Sequence, residues 1–135
     1  MHTFEFLPDG DTRQIRLSAS TFAGLMTAGL QGLCAAIQPI YVMPEVTTER
    51  VFSFVAKDSA SMLLHFLSYA REQGAAHGEA YDAVRFTLVT PTKVDGTLLG
   101  KKMQAVANQV LTVLLPSGSA AKNEQGQWET VVEMQ

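Results

Sequence analysis

The chain has one cysteine, Cys34, among its 135 residues. A lone cysteine excludes an internal disulfide, so we expect a reducing compartment and a cytoplasmic location. Because Cys34 falls in an apolar, helix-like stretch, we interpret it as a packed small hydrophobic side chain rather than a reactive thiol. No basic stretch followed by an apolar run opens the sequence, so no secretory signal is predicted. The apolar segment 22–37 is too short and too polar to cross a bilayer, and we expect no membrane partner.

Charge is also scarce. Charged residues make up 17% of the chain, below the roughly 25% of an average soluble domain, and the formal net charge is −3. The arginines are scattered, and Lys101-Lys102 is the only basic pair. Direct binding of nucleic acid requires a clustered basic face, so we expect none here. An apolar fraction of 47% is enough for a real core, and the length predicts one domain over residues 1–135.

Sequence motifs that would indicate an active site are missing. The chain has no Gly-rich phosphate loop, no Gly-x-Ser-x-Gly elbow and no Cys-x-x-Cys pair. His2 and His77 have no partner at the spacing of metal ligands, and His65 falls on the polar side of a predicted helix. We therefore predict a protein that is not an enzyme and that uses no cofactor.

Hydrophobic periodicity predicts two helices, over residues 20–37 and 59–74. Pro39 ends the first, and Asp58 or Ser59 caps the second. The second helix carries an apolar stripe at positions i, i+3, i+4 and i+7. That stripe consists of Leu63, Phe66, Leu67 and Ala70.

The remaining segments predict strands. Pro8-Asp9-Gly10 is typical of a tight turn between two strands at the N-terminus. Residues 46–55 predict a strand that is apolar on both faces, and such a strand should be covered on both faces. Asp95-Gly96 predicts a hairpin turn. Residues 103–109 fit either a helix or a strand, whereas residues 110–115 favour a strand. The order of elements predicts an α+β fold, with two helices packed against antiparallel β-sheets.

Several segments, in this order, resemble the archease family. They are residues 4–8, Ile15-Arg16, the helix core 63–67, the stretch Gln104-Ala105-Val106, and Trp128 with Val131-Val132. The resemblance spans nearly the whole chain and implies the archease fold. It also implies an accessory protein that assists an RNA-splicing ligase in tRNA splicing or RNA repair, in a family that uses a bound metal ion.

The positions that carry the family's metal chemistry hold other residues here. Aligned on Leu7-Pro8, the family's ligand positions fall on Thr12, Gln109 and Met134. The carboxylates next to those positions belong to Asp9, Asp11 and Glu133. Hard divalent cations need several converging carboxylate oxygens, and a shift of one residue in a strand sends a side chain to the other face. The resemblance therefore implies an archease-like fold whose metal site has been lost.

Two other functions stay open. The chain can be a non-catalytic scaffold or interaction module, unrelated to RNA ligation and homo-oligomeric. It can also bind a small ligand between a helix and a sheet. The only sequence feature in favour of a ligand is the set of aromatic and methionine residues, and methionines more often fill a core. Those methionines are Met26, Met43, Met62 and Met103.

Overall fold

The structure is a computed structural model that describes residues 1–8, 13–42 and 47–135. Its helices are α1 (Phe22–Ile37) and α2 (Ser59–His77). Its strands are β1 (His2–Phe6), β2 (Arg13–Ala19), β3 (Pro39–Tyr41), β4 (Thr47–Val55), β5 (Glu79–Val89), β6 (Lys93–Val106), β7 (Val113–Leu114), β8 (Ala121–Lys122) and β9 (Trp128–Met134).

The strands form two antiparallel sheets. In the first sheet the order is β1-β2-β9-β7, and the short β8 also pairs with β9. In the second sheet β6 is central: β4 and β5 lie on opposite edges of it, and β3 pairs with its C-terminal part. Both helices contact strands of both sheets. The predicted α+β fold, with two helices packed against antiparallel sheets, is confirmed.

Helix α2 begins and ends at residues whose side chains and backbone suit those positions. The Asp58 side chain accepts a hydrogen bond of 2.8 Å from the Ser61 backbone N–H, as an N-cap should. This bond lowers the pKa of the Asp58 carboxyl. At the other end Gly78 has a left-handed φ of 63° and donates its N–H to the Gly74 carbonyl. The helix is therefore longer at its C-terminus than predicted.

The apolar stripe of α2 lies in the centre of the core, as predicted. Phe66 is completely buried, and its ring centroid lies 5.4 Å from that of Phe52 and 6.0 Å from that of Phe86. Leu63, Leu67 and Ala70 are buried with it. His65, on the opposite side of the helix, is exposed as expected.

Strand β4 corrects one prediction. Its inner residue Phe52 is buried, but Val51 and Val55 on the outer face are 79% and 71% exposed. The strand is therefore covered on one face only, because both helices pack against the same side of its sheet. The apolar side chains on both faces of β4 therefore did not indicate that both faces are covered.

Asp95-Gly96 is the second correction, because it lies inside β6 and forms no turn. Gly96 faces β5 where the register of that strand shifts between Phe86 and Leu88. A Cβ atom at Gly96 would lie 2.6 Å from the Arg85 carbonyl oxygen. The glycine is needed for this close backbone approach at a bulge, and not for a positive φ.

The ambiguous segment after residue 102 resolves into strand followed by irregular chain. Residues 103–106 complete β6, and the predicted strand over residues 110–115 shrinks to Val113–Leu114. The intervening backbone is held by hydrogen bonds from Asn108 to the Ile37 carbonyl and from Leu111 to the Gln135 carbonyl. This irregular segment borders the site described next.

Candidate functional site

The structure describes only some of the residues that were considered as metal ligands. Asp9, Asp11 and Thr12 lie outside the described residues. Met134 is buried at the end of β9, where it pairs with Arg13 of β2 and with Val113 of β7. Glu133 precedes it and is half-buried, and because side chains alternate along a strand it faces the other side of the sheet.

At this end of the molecule Arg13 links helix α1 to the segment that follows β6. Its guanidinium donates one hydrogen bond of 2.7 Å to the Ala36 carbonyl and another of 2.9 Å to the Gln109 carbonyl. The structure thus brings two predicted positions, Gln109 and Met134, close to the same arginine. A thioether is a soft ligand and a guanidinium repels a cation, so one amide oxygen beside them is not enough to hold a hard divalent cation.

No group of three or more His, Cys, Asp or Glu side chains that could hold a metal ion occurs in residues 1–8, 13–42 and 47–135. Since Asp9 and Asp11 fall outside those ranges, the loss of the metal site stays a prediction. The residues that are described do not fit such a site.

A cavity of about 280 Å³ lies beside this end of the molecule. It is enclosed by the C-terminal halves of both helices, the start of β5, the end of β6 and residues 109–111. Most of its wall is apolar, contributed by Leu30, Leu33, Ile37, Ala70, Ala75, Met103, Val106, Val110 and Leu111. Gln109, one of the predicted metal positions, also lines it.

Local sequence explains how the helices form this wall. Leu30, Leu33, Cys34 and Ile37 follow the i, i+3, i+4, i+7 spacing, so they form one face of α1. On α2 a glycine, Gly74, is required, because a Cβ atom there would lie 2.5 Å from a backbone oxygen of β5. The close approach of α2 to β5 closes the cavity on that side.

One side of the cavity holds a buried carboxylate, Glu79, which is only 2% exposed. Arg50 binds it in a bidentate manner, with nitrogen–oxygen distances of 2.9 Å and 3.1 Å. The Tyr81 hydroxyl donates a hydrogen bond of 2.6 Å to it, and Lys102 Nζ lies 3.7 Å away. A buried charge must be paired, and this one has several partners.

These partners set the pKa of the cluster. Burial raises the pKa of the Glu79 carboxyl, but hydrogen bonds from Arg50 and Tyr81 and the charges of Arg50 and Lys102 lower it more. The pKa therefore ends below its usual value, and the carboxylate is ionised at neutral pH. Burial, together with the hydrogen bond to Glu79, raises the pKa of the Tyr81 hydroxyl. Glu79 therefore cannot serve as a ready proton donor or acceptor.

Cys34 lines the cavity and is half-buried. Its Sγ lies 3.8 Å from the Tyr41 hydroxyl. Burial raises the pKa of the Cys34 thiol, which keeps it protonated and a poor nucleophile. The interpretation of Cys34 as an unreactive thiol agrees with this environment, although the side chain is less completely packed than expected.

Arg71 is the remaining charged side chain on the cavity wall. Its single ion pair within the described part of the chain is a 3.8 Å contact with Glu72, its neighbour in sequence. The Arg71 side chain is only 23% exposed. A cation with such a weak partner beside an apolar cavity is the least satisfied charge of this site.

A ligand site between a helix and a sheet was left open from the sequence, but neither the residues of this cavity nor its charges were predicted. The Glu79 cluster joins residues from three strands, and nothing in the local sequence predicts that register. The one available signal was Glu79 itself, which stands directly before the apolar pair Ala80-Tyr81 at the start of a strand.

Among the residues that the structure describes, no helix is long and apolar enough to cross a membrane.

Comparison with known proteins identifies the fold. No protein-family model matches the sequence, and no curated protein matches it. Solved structures do match: the chain is similar to protein 1598 of Methanobacterium thermoautotrophicum, with a TM-score of 0.66 and 10% identity. That similarity covers 97% of this chain and 96% of the other.

The chain is also similar to an archease from Thermotoga maritima that is described as a possible chaperone. The TM-score is 0.65, the identity is 8%, and the similarity covers 96% of this chain and 98% of that one. Identities this low show the fold alone. The α+β protein described above therefore has an archease-like fold, as the sequence resemblance predicted.

Proposed function

We propose that this protein is a non-catalytic accessory protein that acts on a partner enzyme, and that the partner is an RNA-splicing ligase. The observation that carries the proposal is the similarity to an archease described as a possible chaperone, which covers 96% of this chain and 98% of that one. Similarity over the full length of both chains is compatible with a shared mode of action on a partner.

The chemistry of the cavity supports a non-catalytic role. Its carboxylate, Glu79, is saturated by partners, and its thiol, Cys34, has a raised pKa. General acid–base or nucleophilic catalysis requires a group that is free to exchange a proton or to attack. Neither group meets that condition.

The proposed action does not require a metal ion held by this chain. Where the resemblance implies ligands, the described residues are Gln109 and Met134, next to the Arg13 guanidinium. The proposal also places the protein in the cytoplasm and includes no direct contact with RNA, since the basic residues do not form a cluster in the sequence.

Multiple-turnover ligation is the direct test. The purified protein is added at increasing concentration to the RNA ligase of the same organism, and product is followed beyond one equivalent of ligase. We expect acceleration by the wild-type protein and equal acceleration by the double variant Asp9→Asn/Asp11→Asn. This variant is preferable to a chelator, which would also remove metal from the ligase and from its nucleotide. No acceleration at any concentration would reject the ligase as partner.

A homo-oligomeric scaffold is the second candidate, and the outer face of β4 favours it. Val51 and Val55 are largely exposed there, on a strand at the edge of its sheet. Exposed apolar residues on an edge strand are typical of surfaces that pair with another chain. Sedimentation velocity should then show a dimer that dissociates in the variant Val51→Lys/Val55→Lys. A wild-type monomer at all concentrations would reject this candidate.

A further inference from the structure

The cavity described above has the size and the wall of a small-molecule site. A water-sized group occupies about 30 Å³, so a volume of 280 Å³ accommodates roughly nine or ten non-hydrogen atoms. Ligand pockets are mostly apolar, with a few polar groups that fix the orientation of the ligand. This cavity has a similar composition, with aliphatic walls from both helices and β6 and with Arg71 and Glu79 among its lining residues.

The cavity has an entrance that a ligand can use. Leu111 is 61% exposed although it lines the cavity, and Ala75 and Gln109 are exposed beside it. Apolar side chains at an opening favour the entry of an apolar group. The interior is therefore reachable without unfolding of the core.

The charges around the cavity select the sign of the ligand. The charged side chains of the wall are those of Arg71 and Glu79. Arg50 and Lys102 pair with Glu79 from outside the wall, and the charge of Asp82 acts on Cys34. The Glu79 carboxylate is already neutralised by hydrogen-bonded partners, whereas within the described residues the one ion pair of Arg71 is its 3.8 Å contact with Glu72. A guanidinium binds a carboxylate through short, charge-assisted hydrogen bonds. A bound anion would give Arg71 a closer partner than Glu72.

We infer that this cavity binds a small amphipathic anion, a carboxylate with an aliphatic tail of medium length. The tail occupies the aliphatic interior, and the carboxylate pairs with Arg71 at the wall. The inference is independent of the proposed RNA-ligase partner, because it rests on the cavity and its charges alone.

A methyl group inside the cavity reports on binding directly. Met103 lines the cavity, whereas Met26 and Met62 are buried in the N-terminal halves of the two helices, away from it. With ¹³C-methyl-labelled methionine, titration of octanoate should shift the Met103 signal and leave those of Met26 and Met62 in place. Octanoate has the ten non-hydrogen atoms that fit, and a ligand of this size binds with a Kd of roughly 0.1 mM.

One uncharged probe and one cationic probe test the role of Arg71. Octanol and octylamine have the same tail as octanoate, and both should bind more weakly. The variant Arg71→Gln should weaken octanoate about tenfold or more, since a hydrogen bond to a charged group is lost. It should leave octanol unchanged. Arg85→Gln is the matched control, because Arg85 forms an exposed ion pair with Glu49. It should change the affinity for neither octanoate nor octanol.

A second variant tests the cavity itself. Ala75→Phe places a ring at the exposed entrance and should abolish the binding of both octanoate and octanol. The inference is overturned if octanoate leaves Met103 unshifted at millimolar concentration. It is also overturned if octylamine binds best, or if Arg71→Gln leaves the preference for octanoate over octanol intact.

Discussion

Replacement of Phe66 by alanine is the sharpest test of how this core is held together. Phe66 is completely buried, so the substitution removes its whole side chain from the interior. Burial of a phenylalanine stabilises the fold by about 1.5–3 kcal/mol. Each of its two ring pairs, with Phe52 and Phe86, adds about 0.5–1.5 kcal/mol. The free energy of unfolding should therefore fall by about 3–5 kcal/mol, as in other buried Phe→Ala variants.

Urea unfolding measures this loss. With an m-value of about 1–3 kcal/mol/M, the midpoint should fall by roughly 2 M relative to the wild-type protein. The total stability of a domain is only about 5–15 kcal/mol, so Phe66→Ala can be too unstable to fold. Phe66→Leu keeps an apolar side chain and should lose about 1–2 kcal/mol, mainly from the two ring pairs.

Phe6 provides the matched control for Phe66. It is 45% exposed, and its one ring contact within the described residues is with Phe4. Phe6→Ala should therefore cost less than about 1 kcal/mol, since surface substitutions have small effects. If Phe66→Ala and Phe6→Ala lower the free energy of unfolding equally, the assignment of Phe66 to the centre of the core is wrong.

Other measurements test the remaining features. The pKa of Glu79 is lower in the folded chain, so its ionised form stabilises the fold near neutral pH and that contribution is lost as the pH falls through the folded-state pKa. Urea unfolding from about pH 7 to about pH 3 should show a smaller pH dependence in Glu79→Gln than in the wild-type protein or in the exposed control Glu5→Gln. Calorimetric titration of metal-stripped protein should show no calcium, magnesium or zinc site tighter than about millimolar, and a micromolar site abolished by Asp11→Asn would restore that residue as a ligand. Gly96→Ala should destabilise the fold because its Cβ would meet the Arg85 carbonyl, whereas Gly32→Ala in α1, where the nearest side-chain atom is 3.4 Å away, should be neutral or stabilising.

Local patterns predicted the helices and the centre of the core. The stripe Leu63, Phe66, Leu67 could be read directly, because helical periodicity places these residues on one face whatever the rest of the chain does. The outer face of β4 could not be read in the same way. Val51 and Val55 have the composition of a covered face, and their exposure depends on where both helices pack. A strand of this composition is compatible with either arrangement.

The Glu79 cluster could not be predicted for a related reason. Arg50, Glu79 and Lys102 come from three strands, and their side chains meet only in one register of the second sheet. That register is set by the bulges in β5 opposite Gly96 and Gly100, which were not recognised in the sequence. Asp95-Gly96 instead predicts a turn, which is the commoner use of that pair. The misassigned glycine and the missed cluster therefore have one cause.

The two described metal positions show which part of a site can be predicted without a structure. Met134 lies on a regular strand, where Thr130, Val132 and Met134 face inward at alternate positions, so its burial follows from the pattern. Gln109 lies in irregular chain between β6 and β7, and its place on the cavity wall depends on long-range hydrogen bonds, including the one from Arg13. Alignment with a family can match Gln109 to a ligand position, but the residues around Gln109 determine what it can bind. Here the neighbours of Gln109 on the cavity wall are mostly aliphatic, so a position that the resemblance assigns to a metal ligand lies beside the cavity for which we propose an amphipathic anion.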